Sequence, residues 1–248
     1  MPELPEVEIC ARQLSTCLRG RTIQQVDVRD RKLRLPSDLT GRKIKQVQRR
    51  GKFISLHVDD GRRILIHLGM TGWFEFFPPP RYRMAIGTDK DTVYFEDLRL
   101  FGKVRVISAV QEAAILSRLG PEPLSQEFDL TCLKSTRRPV KVALLDQRLI
   151  AGLGNIYAVE ALWHARIHPE RPADRLTEAE LSRLKKSIIR VVRKAIAYGP
   201  EIHEARRFKV YDRQGEPCYR CGTPIQRIVL GGRGTYFCPG CQHKKSFA

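Results

Sequence analysis

Apolar positions recur at helical spacing near the N-terminus, switch to alternation, then return to helical spacing. Val7, Cys10, Ala11, Leu14 and Leu18 form one stripe, which predicts an amphipathic helix over 5–18, closed by Gly20. Short runs rich in β-branched and aromatic residues follow: RTIQQVDVR, KIKQVQ, KFISLHV, RRILIHL, WFEFF, DTVYFE and KVRVIS. Asp59-Asp60-Gly61, Gly69, Pro78-Pro79-Pro80 and Thr88-Asp89-Lys90 separate them as turns. Many short strands at this spacing predict an antiparallel sandwich or barrel. After about residue 110, helical periodicity resumes at 110–118, 139–145, 156–164 and 178–197. In the last segment Leu181, Leu184, Ile188, Val191, Val192 and Ala195 make a core-facing stripe, while Arg and Lys cover the other face. Gly120-Pro121-Glu122-Pro123 marks the joint between a β-rich half and a helical half.

Composition narrows the class. The 248 residues suffice for one large domain or two ordinary ones. No stretch approaches the ~18–20 uninterrupted apolar residues of a membrane span. The acidic N-terminus lacks the apolar core of a secretory signal, so no membrane partner is expected. Lys and Arg number 45 against 27 Asp and Glu, a formal net charge of +18. Many of the arginines are paired: Arg49-Arg50, Arg62-Arg63, Arg137-Arg138 and Arg206-Arg207. A guanidinium donates two hydrogen bonds at once to a phosphate, so a nucleic-acid partner is expected.

Seven cysteines are present, four of them near the C-terminus. Cys218, Cys221, Cys238 and Cys241 read C-x2-C-x16-C-x2-C, the spacing of one tetrahedral zinc held by four thiolates. Four thiolates leave no open coordination position, so the expected Zn2+ is structural. The linking segment predicts a hairpin with Gly231-Gly232 at its tip and Arg233 beside it, a probe for phosphate or a groove. Cys10, Cys17 and Cys132 remain, an odd number without framework spacing, which points to an intracellular, reducing compartment.

The helical half contains LIAGLGNIYAVEALWHARIHP. Gly152 and Gly154 make a tight turn, and Asn155 occupies the expected N-cap of the next helix. No third glycine supports a dinucleotide-binding reading. A glycine-preceded helix start nevertheless suits a phosphate. Lys141 lies one short helix upstream and adds charge.

Together these segments resemble the formamidopyrimidine-DNA glycosylase (Fpg/Nei) family. The resemblance is carried by MPELPEVE at the start, RRGKF at 49–53, HLGMTG at 67–72, AGLGNIYAVEAL at 151–162, EPCYRCGTPI and RGTYFCPGC, in family order nearly end to end. It implies an α+β multidomain fold. Residues 1–115 would form a catalytic β-sandwich domain with an N-terminal helix, 120–210 a helix-two-turn-helix domain, and 211–248 a four-cysteine zinc finger. It implies a base-excision repair enzyme on double-stranded DNA containing damaged bases or abasic sites, with DNA in a cleft between the halves; a monomer is expected because no extra apolar stripe asks for a partner. The catalytic residues carried over are Pro2, Glu3 and Lys52. Pro2 supplies its amine as nucleophile, which requires removal of Met1. Glu3 transfers protons, Lys52 contacts phosphate, and Glu6 helps position the site. Met70, Arg99 and Phe101 match the residues that fill the gap left by an extruded nucleotide. Lys141, Asn155 and Arg233 match phosphate contacts.

Two departures from the family pattern stand out. The family usually reads DPRRFG where this chain has DLRLFG at 97–102, with Leu98 and Leu100 in place of a proline and an arginine. The segment GPEIHEARRFKV is short, where relatives specialised for 8-oxoguanine carry a longer loop over the flipped base. The expectation is an enzyme without that cap, favouring formamidopyrimidines, oxidised pyrimidines or abasic sites. Two other readings compete: a non-catalytic zinc-finger protein that binds damaged DNA, and a zinc-ribbon RNA-binding protein. Pro5, Glu6 and Glu8 suit any helix start. Helix-start chemistry does not explain Pro2 and Glu3, and Pro2, Glu3 and Lys52 together favour the enzyme.

Overall fold

Helix α1 spans Leu4–Leu18, with Pro5 in its first turn, where a missing N–H costs no hydrogen bond. Leu4, Val7, Cys10, Leu14 and Leu18 face inward with no exposed surface. The computed structural model describes residues 2–33, 35–202 and 208–244. By backbone contacts the chain divides into two units, Met1–Arg118 and Leu119–Ala248.

In the first unit, two four-stranded antiparallel sheets face each other across one core. Strands β1 (Ile23–Val28), β6 (Met84–Thr88), β7 (Thr92–Glu96) and β5 (Trp73–Glu75) lie in that order in one sheet. The other runs β2 (Ile44–Arg50), β3 (Phe53–Val58), β4 (Arg62–His67), β8 (Lys103–Ser108). Alternation does what the sequence demands. Ile54, Leu56, Ile64, Ile66 and Val104 point into the core opposite Phe74, Ile86, Val93 and Phe95, and α1 closes one side with Val7, Cys10 and Leu14. Register is fixed by pairs such as Ile54 with Ile66 and Met84 with Phe95. Strand β6 escapes the sequence reading. Its Met84-Ala85-Ile86-Gly87 run carries a single β-branched residue, and its pairing with both β1 and β7 supplies what propensity does not. Helix α2 (Ala109–Leu116) starts at a capping box, in which the Ser108 hydroxyl accepts from Gln111 N–H at 3.2 Å.

In the second unit, α3 (Val140–Leu144), α4 (Asn155–Ala165) and α5 (Glu178–Ile196) precede the hairpin β9 (Gln226–Leu230) and β10 (Arg233–Phe237). Helix α5 begins at a second capping box: Thr177 Oγ1 accepts from Glu180 N–H, and Glu180 Oε2 accepts from Thr177 N–H at 2.9 Å. Its buried stripe is the one the sequence predicts. Helix α4 is buried nearly all round, from Ile156 to Trp163. Val159 and Trp163 pack with Val210, Cys218, Ile225 and Cys238, so the cysteine hairpin shares a core with the helices. The Glu160 carboxylate, 5 % exposed, accepts the backbone N–H groups of Lys209, Val210 and Tyr211 at 2.8–3.0 Å and holds the chain that enters the hairpin. Among the described residues no helix is long and apolar enough to cross a membrane.

Candidate functional site

Pro2 and Glu3 lie at the start of α1, where the chain turns inward. Both are buried, and Glu3 is only 1 % exposed. Glu3 is the N-cap residue of α1, and its backbone N–H donates to Glu6 Oε2 at 2.9 Å. Glu6 is likewise 1 % exposed. The Glu3 backbone is therefore set by the third residue of the helix, and Glu6 acts on the site through it. Glu8, one turn on, faces the other way. It pairs with Arg49 Nε at 2.6 Å and with Arg12 Nε at 2.7 Å, and these guanidiniums bring its pKa below the usual carboxylate value against the cost of burial.

Arg49 links the start of α1 to the turn that carries Lys52. It belongs to β2, and its Nη1 also donates to Gly51 O at 3.1 Å inside the β2–β3 turn. Lys52 is the next residue of that turn and is half-buried. Thus Glu8–Arg49 ties the Lys52 turn to the helix that Pro2 and Glu3 begin. His67, at the end of β4, completes this edge. Its Nδ1 accepts from Gly69 N–H at 3.1 Å, and its ring meets Phe53 edge-on at 5.2 Å. Burial, then Lys52 and Lys103, lower its pKa, so the ring is neutral near pH 7 with its proton on Nε2. The sequence reading missed His67 as a site residue. Its signal was its place in HLGMTG, two residues before the turn glycine.

Met70, Arg99 and Phe101 occupy two neighbouring loops. Met70 follows Gly69 in the β4–β5 turn and is 37 % exposed; Phe101 in the β7–β8 loop is 51 % exposed. The Arg99 guanidinium lies over the Phe101 ring at 5.2 Å. Leu98 and Leu100, where the motif departs from the family pattern, are also exposed, and Leu100 takes the left-handed conformation at φ +57°. A groove of about 700 Å3 opens beside Met70 and Phe101, floored by Phe53 and Leu65 and edged by Lys103 and Arg105.

In the second unit, Lys141, Asn155 and Arg233 gather around the hairpin tip. Gly231 and Gly232 have φ of +57° and +71°, the two positive values a type I′ turn requires. Arg233 opens β10 and is exposed. One expectation is corrected here. Asn155 is not the helix cap: Gly154 takes that place in extended conformation, and Asn155 is the first helical residue. Its Nδ2 donates to Gly234 O at 2.9 Å, and its buried Oδ1 meets no donor among the described residues. Lys141 is fully buried, and its Nζ donates to Leu230 O at 3.4 Å. Both side chains hold the hairpin backbone from either side of Arg233, a use that only the tertiary fold reveals.

The four hairpin cysteines fit a metal. Their Sγ atoms all lie within 4.8 Å of one another, with Cys221–Cys238 at 3.4 Å and Cys218–Cys241 at 4.0 Å. Zn–S bonds of about 2.3 Å in a tetrahedron put sulfurs about 3.8 Å apart, so the set matches one structural Zn2+. Trp163 Nε1–H and Arg220 N–H point at Cys218 Sγ, both at 3.4 Å, the outer contacts that orient a thiolate ligand.

Three family models match the chain in order: the formamidopyrimidine-DNA glycosylase N-terminal domain over residues 1–104, the H2TH domain of the same enzymes over 119–206, and the zinc finger found in FPG and IleRS over 215–244. The chain belongs to the formamidopyrimidine-DNA glycosylase family. The family's enzyme from Thermus thermophilus is 43 % identical over 263 residues, covering 98 % of each chain. That from Chloroflexus aurantiacus is 40 % identical over 271 residues, again covering 98 % of each. The crystal structure of the MutM (Fpg) protein of Thermus thermophilus superposes with a TM-score of 0.88 at 42 % identity, covering 99 % of this chain and 100 % of that one. The Lactococcus lactis Fpg solved with DNA containing an abasic site gives a TM-score of 0.88 at 34 % identity, covering 98 % and 100 %. The mixed helix-and-sheet fold and the four-cysteine zinc site are those of the Fpg family.

Proposed function

We infer that the chain is a base-excision repair DNA glycosylase that also cleaves the strand at the abasic site it makes. The observation that carries the reading is the start of α1: a proline followed by a buried carboxylate whose backbone is fixed by Glu6, with Lys52 tied to the same helix through Arg49 and Glu8. A terminal α-amine has a pKa of about 7.7–8.0, so a useful fraction is neutral at physiological pH. The expected removal of Met1 concerns a residue outside those described. Removal frees the Pro2 nitrogen as a secondary amine.

The neutral amine attacks sugar C1′ while the C1′–N bond to the damaged base breaks and the base takes up a proton. Glu3 delivers a proton to the ring oxygen as the sugar opens. The Pro2 nitrogen is then part of an iminium ion, a fixed positive charge that acidifies the C2′–H. Loss of that proton expels the 3′ phosphate, a second elimination expels the 5′ phosphate, and water releases the sugar fragment from Pro2. Lys52 holds a phosphate beside the lesion. Met70, Arg99 and Phe101 fill the gap in the base stack. Arg233 contacts backbone phosphates, and Lys141 and Asn155 hold the strand that carries it. Zn2+ held by Cys218, Cys221, Cys238 and Cys241 would stiffen the hairpin, and four thiolates would leave it no open position for the chemistry.

The partner is double-stranded DNA and the enzyme acts as a monomer. The Lactococcus lactis relative solved with abasic-site DNA, and again with Fapy-dG-containing DNA, supports the partner and the lesion class. The short segment that motivates the missing cap includes residues 203–207, among them the Arg206-Arg207 pair, and these lie outside the described residues. The test is cleavage of matched duplexes carrying formamidopyrimidine or 8-oxoguanine opposite cytosine. A clear preference for formamidopyrimidine is expected. Equal rates on both overturn the proposed preference, and no strand cleavage on either overturns the enzyme reading.

A further inference from the structure

The two loops that carry Met70 and the Arg99–Phe101 pair are joined at one buried carboxylate. Asp97 is 3 % exposed. Its Oδ1 accepts from Thr71 Oγ1–H at 2.5 Å and from Arg99 N–H at 3.3 Å. Its Oδ2 accepts from Gly102 N–H at 2.6 Å and from Arg83 Nη1–H at 2.9 Å. Thr71 is the residue after Met70, and its Oγ1 in turn accepts from Arg99 N–H at 3.1 Å. Arg83 is held on its far side by Asp30 Oδ2 at 2.6 Å and also donates to Gly102 O at 2.9 Å. A carboxylate is the one side chain of this size that accepts at both ends, and all four of its partners here are donors.

Backbone contact reinforces the join. A Cβ on Gly69 would lie 2.5 Å from Gly102 N and 2.6 Å from Phe101 C, so the two loops touch main chain to main chain. Leu100, at φ +57°, reverses the chain between Arg99 and Phe101 and leaves the guanidinium over the ring. Left-handed backbone costs a branched residue roughly 1–2 kcal/mol, so the bonds on either side must hold it.

We propose that Asp97 is a positioning residue: it locks the Met70 turn and the Arg99–Phe101 loop into one preformed wedge, so that duplex entry requires no ordering of either loop. This rests on the gap-filling role given above to Met70, Arg99 and Phe101. Preorganisation of this kind shows in turnover on duplex DNA, where a hole must be filled, and not on single strands, where no stack is entered.

The experiment compares an abasic site in duplex DNA with the same site in a single-stranded oligonucleotide, for full-length wild type, Phe101→Ala, Asp97→Asn and Thr71→Val. Thr71→Val removes one hydroxyl at an exposed position and keeps the fold available if Asp97→Asn does not. Displacing a wedge by a fraction of an ångström costs on the order of tenfold or more in kcat/KM. A loss of that size on the duplex is expected for Asp97→Asn and Thr71→Val, with single-strand cleavage within about twofold of wild type. Parallel losses on both substrates, or none on either, overturn the positioning role. If Phe101→Ala itself leaves duplex cleavage unchanged, the wedge reading falls first. If Phe101→Ala is impaired while Asp97→Asn and Thr71→Val are not, the wedge stands and the role of Asp97 does not.

Discussion

The backbone N–H of Glu3 donates to the carboxylate of Glu6 at 2.9 Å, and both residues are 1 % exposed. One acid of the opening octet thus serves as the structural support for another. Glu6→Ala removes the acceptor of this buried N–H, a loss of about 1–3 kcal/mol. For a chain of this size each kcal/mol lowers Tm by about 2–4 °C. Glu6→Gln still offers a carbonyl oxygen to Glu3. Thermal scans and cleavage assays should therefore show Glu6→Ala impaired in both, with Glu6→Gln closer to wild type.

His164 gives the fold a pH dependence. Burial comes first, then Arg190, Arg220, Lys209 and Lys194, and together they push its pKa down to about 4. The unfolded chain protonates this imidazole near pH 6.5 while the folded protein resists until about pH 4. The unfolded state therefore binds more protons in that window, and stability falls as pH drops through it. His57, His67 and His168 are displaced in the same direction and add to the trend. Urea midpoints should fall between about pH 7 and pH 5. His164→Gln, which has no proton to take up, should flatten the slope. An unchanged slope places the titration elsewhere.

Zinc removal has its own optical signal. Trp163 Nε1–H points at Cys218 Sγ and shares a core with Cys238. The chain has two tryptophans, so a Trp73→Phe background isolates Trp163. Chelation, or Cys238→Ser, should shift Trp163 emission to the red and weaken DNA binding, because the hairpin loses the ion that shapes it. Arg233→Ala should weaken DNA binding without the spectral change and lower the salt dependence by about one phosphate contact.

The sequence carried α1, seven of the eight strands of the sandwich, the long helices and the cysteine hairpin, because each rests on local periodicity or a fixed spacing. Strand β6 was hidden because its pairing partners, not its own residues, make it a strand. Lys141 and Asn155 could be picked out by motif, but their partners are carbonyls on a hairpin that begins more than sixty residues later in the chain. Asp97 sits inside a motif that was read for its neighbours. Its four donors come from three separate segments, and only the fold assembles them. Pro2 and Glu3 stood out for the opposite reason: helix-start chemistry explains Glu6 and Glu8 but gives Pro2 no purpose, whereas Glu3, expected to lie before the helix, proves to be its N-cap in a capping box with Glu6.

The central claim is that the Pro2 nitrogen is the nucleophile. Its most direct measurement is borohydride trapping on duplex DNA carrying an abasic site, using protein whose N-terminus has been verified by mass spectrometry to begin at Pro2. Reduction of the iminium should leave a covalent protein–DNA adduct, with the added mass on the N-terminal peptide, and Pro2→Gly should trap far less. An adduct mapped to a lysine, no adduct from correctly processed protein, or equal trapping by Pro2→Gly would contradict the account.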